Sequence, residues 1–120
     1  MQSEFPRSAT GDTCNLAAAL ERLDGDRELL ATLIAVFHED SVELLIRLAT
    51  AVEQRDAARA ERAAHSLKGL AANFDGFPAV EAARVIEEAA RQADWPAVAG
   101  GLPTLEREVS RLRLALADCQ

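Results

Sequence analysis

An all-α fold, an antiparallel up-down four-helix bundle with an additional short N-terminal helix, is predicted by three observations. Ala, Leu, Glu, Arg and the single Lys make up 66 of the 120 residues, whereas Val, Ile, Thr and Tyr supply 15, too few β-formers for a sheet of any size. Apolar residues recur at three and four residues along nearly the whole chain, which is the helical period. Residues that start and stop helices interrupt this pattern at only a few places. A chain of this length fits one domain.

Asn15 to Leu23 forms a short first helix closed by Asp24-Gly25. Asp26 can cap a long second helix reaching about Gln54, whose Leu30, Leu33, Ile34, Phe37, Leu44, Leu45, Leu48 and Val52 form a core-facing stripe. Asp56 can cap a third, with Ala60, Ala63, Ala64, Leu67, Leu70, Ala71 and Phe74 on one side, which stops near Asp75-Gly76. Pro78 suits the first turn of a fourth helix running to about Ala93. Asp94, followed by Pro96, starts a fifth with Val98, Leu102, Leu105, Val109, Leu112 and Leu116 facing inward. Gly100, Gly101 and Pro103 predict a kink or a delayed start there. The bundle occupies residues 12–120. Residues 1–11, with Ser3, Pro6, Ser8 and Gly11, read as a flexible tail, a linker from a longer parent or an expression scar.

Charge narrows the partners. Twenty acidic against thirteen basic residues give a net charge of −7 and a pI near 4.8, the wrong sign for phosphate backbones or anionic lipid, so no nucleic acid and no membrane contact are expected. No apolar stretch approaches the roughly 18 residues of a membrane span. Cys14 and Cys119 stand far apart in no metal or redox spacing, which favours a reducing cytoplasm.

The segment that can carry chemistry is Ala64-His65-Ser66-Leu67-Lys68-Gly69-Leu70. At about 100° per residue, the apolar residues of this helix centre on a direction almost opposite His65, so its imidazole should face away from the core. Ala58, Glu61, Arg62, Lys68, Gly69 and Ala72 lie within about 60° of it. Ala58, Glu61, Arg62 and Ala72 are therefore candidates for partner docking. Gly69 costs its helix about 1 kcal/mol relative to Ala, yet one turn beyond His65 it removes steric cover. Lys68, the one lysine in the chain, could neutralise an anion carried on the ring. An exposed neutral imidazole has a lone pair at pH 7 and can form a covalent intermediate, so the group fits a phosphoryl acceptor.

His65, Leu67, Lys68 and Gly69 also reproduce an H-x-L-K-G pattern, and through it the chain resembles the histidine-containing phosphotransfer (HPt) domains. The run from Leu29 to Phe37-His38-Glu39-Asp40 is similar to that family's helix leading into an aromatic and acidic turn, and Ala82 to Arg91 with Asp94-Trp95 is similar to its later helices. The resemblance spans about Asn15 to Ala117. It implies that His65 accepts a phosphoryl group from a receiver-domain aspartate and passes it to another receiver, with Lys68 stabilising the phosphoryl charge and Gly69 admitting the partner. The divalent metal would belong to the receiver, and the chain would need no cofactor of its own. A monomer is expected, either a free shuttle or the C-terminal domain of a hybrid sensor histidine kinase; the first eleven residues favour the excised domain. The family usually carries glycine ten residues after the histidine, where this chain has Asp75 and then Gly76.

Competing readings find less support. His38-Glu39-Asp40 lacks a second histidine four residues away, so no zincin arrangement arises. A di-iron bundle needs Glu three residues before histidine, where this chain has Ala35 and Arg62. Phe37, Phe74 and Trp95 are expected in the core or at helix ends rather than around a cofactor. The alternative from another class is a docking bundle that binds a signalling partner without carrying phosphate.

Overall fold

In the computed structural model, which describes residues 13–118, five helices follow one another: α1 (Leu16–Arg22), α2 (Arg27–Glu53), α3 (Ala57–Ala72), α4 (Phe77–Arg91) and α5 (Trp95–Ala117). No strand occurs among the described residues. The predicted tail at 1–11, and Cys119, lie outside them. α2 packs against α3 and α5, α4 packs against the same two, and α1 rests on α2. The four long helices thus enclose one core, in which Phe37 and Phe74 meet edge-to-face with ring centroids 5.8 Å apart.

The predicted caps hold the helix starts. A side-chain oxygen of Asp26 accepts from Leu29 N–H at 3.0 Å, Asp56 from Arg59 N–H at 3.1 Å, and Asp94 from Ala97 N–H at 3.2 Å. Each satisfies one of the amides left over at a helix start. The ends of α1 to α4 share a device that the sequence does not advertise. Asp24, Arg55, Asp75 and Ala93 all adopt left-handed φ values, between 52° and 56°. After α3, Gly76 N–H bonds Ala71 C=O and Asp75 N–H bonds Ala72 C=O, and the same pair of bonds recurs after α1, α2 and α4. This is the Schellman arrangement, which usually places glycine at the left-handed position.

Asp75 therefore fills a left-handed position without being glycine, and its carboxylate pairs with Arg22 at 3.0 Å, tying α1 to the α3–α4 turn. Gly76, the next residue, is needed for another reason. A Cβ there would lie 2.8 Å from Leu112 Cδ2 and 3.2 Å from the Ala71 carbonyl oxygen, so any other residue would have to displace the buried Leu112 side chain and crowd the end of α3.

Two expectations need correction. α5 starts at Trp95 and runs unbroken through Gly100, Gly101 and Pro103, so its start is not delayed. Asp94 caps the helix, Pro96 falls in its first turn, and buried Val98 anchors that turn to the core. Residues 37–40 form no turn; they lie within α2, which has no Gly or Pro between Arg27 and Glu53 to interrupt it.

Candidate functional site

α3 presents its apolar stripe to the core: Ala60, Ala63, Ala64, Leu67 and Ala71 are buried. His65 falls between these positions, and its side chain is 67% exposed. Gly69, one turn on, is exposed, and a Cβ placed on it would meet nothing within 4 Å. Its lack of a side chain therefore serves no internal packing. Ala58, Arg62 and Ala72 are exposed on the same helix, while the Glu61 carboxylate accepts from Arg91 Nε at 2.9 Å and so is tied toward α4.

What the sequence reading missed is Glu87 on α4. Its carboxylate is only 8% exposed, yet it reaches both predicted functional groups of α3. Glu87 Oε2 lies 2.8 Å from His65 Nδ1, and Oε1 lies 2.7 Å from Lys68 Nζ. Arg91 Nη2 stands 3.6 Å from the same Oε2 and links Glu87 to Glu61. The hydrogen bond from Lys68 is the main cause that holds the Glu87 carboxyl below its usual range; the bond from His65 acts in the same direction, and burial opposes both. A signal was present in the sequence. Glu87 lies four residues after Ala83 and three before Ala90, so a carboxylate interrupts the small-residue stripe that α4 turns inward.

An ionised carboxylate only accepts hydrogen bonds. The 2.8 Å contact therefore places the proton of neutral His65 on Nδ1, which leaves the Nε2 lone pair on the exposed side of the ring. Beside the ring is a hollow lined by Asp40, Glu43, Leu44, Arg47, Ser66, Gly69 and Leu70, open between α2 and α3. No group of three or more His, Cys, Asp or Glu suited to a metal occurs among the described residues, and no helix there is long and apolar enough to cross a membrane.

The fold is similar to the crystal structure of histidine-containing phosphotransfer protein B (HptB) from Pseudomonas aeruginosa PAO1, with a TM-score of 0.82 and 22% identity over 90% of this chain and 94% of that one. No curated protein matches the sequence. The family model described as the Hpt domain matches residues 32–115, a span that includes His65, Lys68, Gly69 and Glu87. Because that match covers well over half of the sequence, the chain belongs to the Hpt domain family.

Proposed function

We propose that the chain is a phosphorelay intermediate in two-component signalling, with His65 as the phosphorylated nucleophile. The observation that carries this reading is the Glu87–His65 contact, which in the neutral form of this exposed ring puts the proton on Nδ1 and leaves the Nε2 lone pair free. Nε2 attacks the phosphorus of an acyl phosphate on a receiver aspartate. The N–P bond forms as the P–O bond to the aspartate breaks, and the electron pair returns to that carboxylate. The ring becomes cationic while Nδ1 keeps its proton, and buried Glu87 offsets the new charge. Such a ring is also a good leaving group, so the reverse attack by a second receiver completes the relay.

Lys68 stabilises the phosphoryl oxygens. One of its three ammonium donors is engaged by Glu87 and two remain. Gly69 and Ala72 admit the receiver, with Ala58, Glu61 and Arg62 at the margin of its footprint. The divalent metal is the receiver's, and this chain uses no cofactor of its own. The ring of packing among α2, α3, α4 and α5 supports an antiparallel up-down four-helix bundle with α1 as an added short element. We read the domain as a monomer that works in the cytoplasm, as a shuttle or as part of a hybrid sensor kinase.

Incubation with a phosphorylated receiver should label the protein in an acid-labile, alkali-stable form, and His65→Gln should abolish the label with helicity unchanged. Labelling that persists in His65→Gln refutes the assignment.

A further inference from the structure

Beyond the hollow beside His65, the cleft between α2 and α3 continues as a groove of about 510 Å³. Arg47, Arg59 and Arg62 stand around it over an apolar floor that includes Leu44 and Ala63, and no carboxylate lines it. In a chain of net charge −7 this is a local reversal of sign. Two of these guanidiniums have one carboxylate partner each, and the third has none among the described residues. Arg62 has no hydrogen bond or ion pair among the described residues. Arg59 meets Asp56, the cap of α3, at 3.4 Å and Arg47 meets Glu43 within α2 at 2.7 Å, two surface pairs that water screens. Ile46, 62% exposed, adds an apolar edge. Leu44, Arg47 and Ser66 line both the groove and the hollow beside His65, so one partner surface could cover the two.

Three guanidiniums around an apolar floor fit a protein segment that offers carboxylates beside an apolar side chain. A free anion would satisfy the arginines but leave Ile46 and the floor in water. We propose that the groove holds an acidic segment of the partner receiver domain and acts as a carboxylate-reading subsite. With a rise of 1.5 Å per residue, Arg62 and Arg59 lie about 4.5 and 9 Å along α3 from His65, well inside the footprint of one docked protein. The subsite sets encounter and orientation; it takes no part in bond making. The proposal rests on the reading of His65 as an acceptor of receiver phosphate.

The test uses a receiver domain charged with acetyl phosphate and Mg²⁺, chosen from a panel as the fastest donor to the wild-type chain. The second-order rate of transfer is measured from 50 to 500 mM salt. Arg59→Glu/Arg62→Glu should lower that rate about tenfold at 50 mM salt, and the gap should close at 500 mM, as for charges that steer association. Arg59→Gln/Arg62→Gln, which adds no repulsion near Asp56, should show a smaller loss of the same salt dependence. Labelling of His65 by phosphoramidate, a small donor that docks on no groove, should be unchanged in both variants. Transfer within twofold of wild type at every salt concentration, with His65 still labelled, overturns the subsite and leaves the phosphotransfer reading intact. Failure of phosphoramidate or any receiver to label wild-type His65 overturns both. Ten millimolar inorganic phosphate that shifts the Arg59 and Arg62 side-chain resonances, while receiver transfer ignores their replacement, overturns the subsite in favour of a free-anion site.

Discussion

Replacing Glu87 by Gln changes almost nothing in volume and inverts the hydrogen bond that fixes the His65 ring. In the wild type the carboxylate accepts from Nδ1–H at 2.8 Å, a charge-assisted bond of about 1.5–3 kcal/mol that keeps nearly all of the neutral ring in the tautomer with a free Nε2. Lys68 at 2.7 Å holds the other carboxylate oxygen. In the variant the ammonium, a donor only, must keep the amide oxygen, so the amide NH₂ turns toward Nδ1 and now donates to it. A neutral bond of about 0.5–1.5 kcal/mol then favours the proton on Nε2, which leaves roughly 30% to 7% of the neutral ring with a usable lone pair. Phosphoramidate labelling should therefore slow by about 3- to 14-fold, a range that follows from that energy alone. The direct readout is the pair of imidazole ¹⁵N shifts, which should exchange character between Nδ1 and Nε2. Stability should fall by about 1–3 kcal/mol as the charged partner of Lys68 is lost. If Glu87→Gln keeps the wild-type ¹⁵N pattern and labels at the wild-type rate, the role assigned to Glu87 is wrong.

Other perturbations probe separate parts of the argument. Gly69→Ala should stabilise the protein by about 0.5–1 kcal/mol in urea titrations, because an added Cβ meets nothing, whereas Gly69→Trp should leave the urea midpoint near wild type and block receiver transfer. Ala93→Gly should also stabilise, by up to about 1 kcal/mol, since Ala93 holds a left-handed φ of 54°; a loss of stability would refute that reading of the helix ends. Gly76→Ala should cost about 1–3 kcal/mol through contact with Leu112 and the Ala71 carbonyl. The Glu87 carboxyl lies below its ordinary value of 4.5, so its stabilising contribution is complete above 4.5 and is lost as pH falls through the lower folded value; Glu87→Gln should flatten the acid limb of stability against pH. His38 is held below its ordinary 6.5 by burial first and by Arg113 second, so its contribution is present above 6.5 and is lost as pH falls through the folded value. Stability measured between pH 7 and 5 should therefore decline less in His38→Gln than in wild type.

How much of this was legible in the sequence depends on whether the deciding interaction is local. The caps at Asp26, Asp56 and Asp94 could be read because each carboxylate acts on an amide three residues away. The outward direction of His65 could be read because helical geometry alone sets it. The delayed start expected from Gly100, Gly101 and Pro103 did not occur, because the local cost of these residues is offset by burial of Val98, Leu105 and Leu112 along the helix, which no local rule counts. Glu87 was overlooked for the same reason. Its partners lie 22 and 19 positions back in the chain, and only the packing of α3 on α4 brings them within 2.8 Å. Under the proposed function the chemistry would be divided between two helices: α3 would supply the nucleophile and its access, and α4 the charge that decides which nitrogen can attack. A bundle that kept the H-x-L-K-G segment but carried an apolar residue at the Glu87 position would still expose an imidazole. Its tautomer would be left to water, and it should be labelled more slowly than this chain at the same helicity and stability.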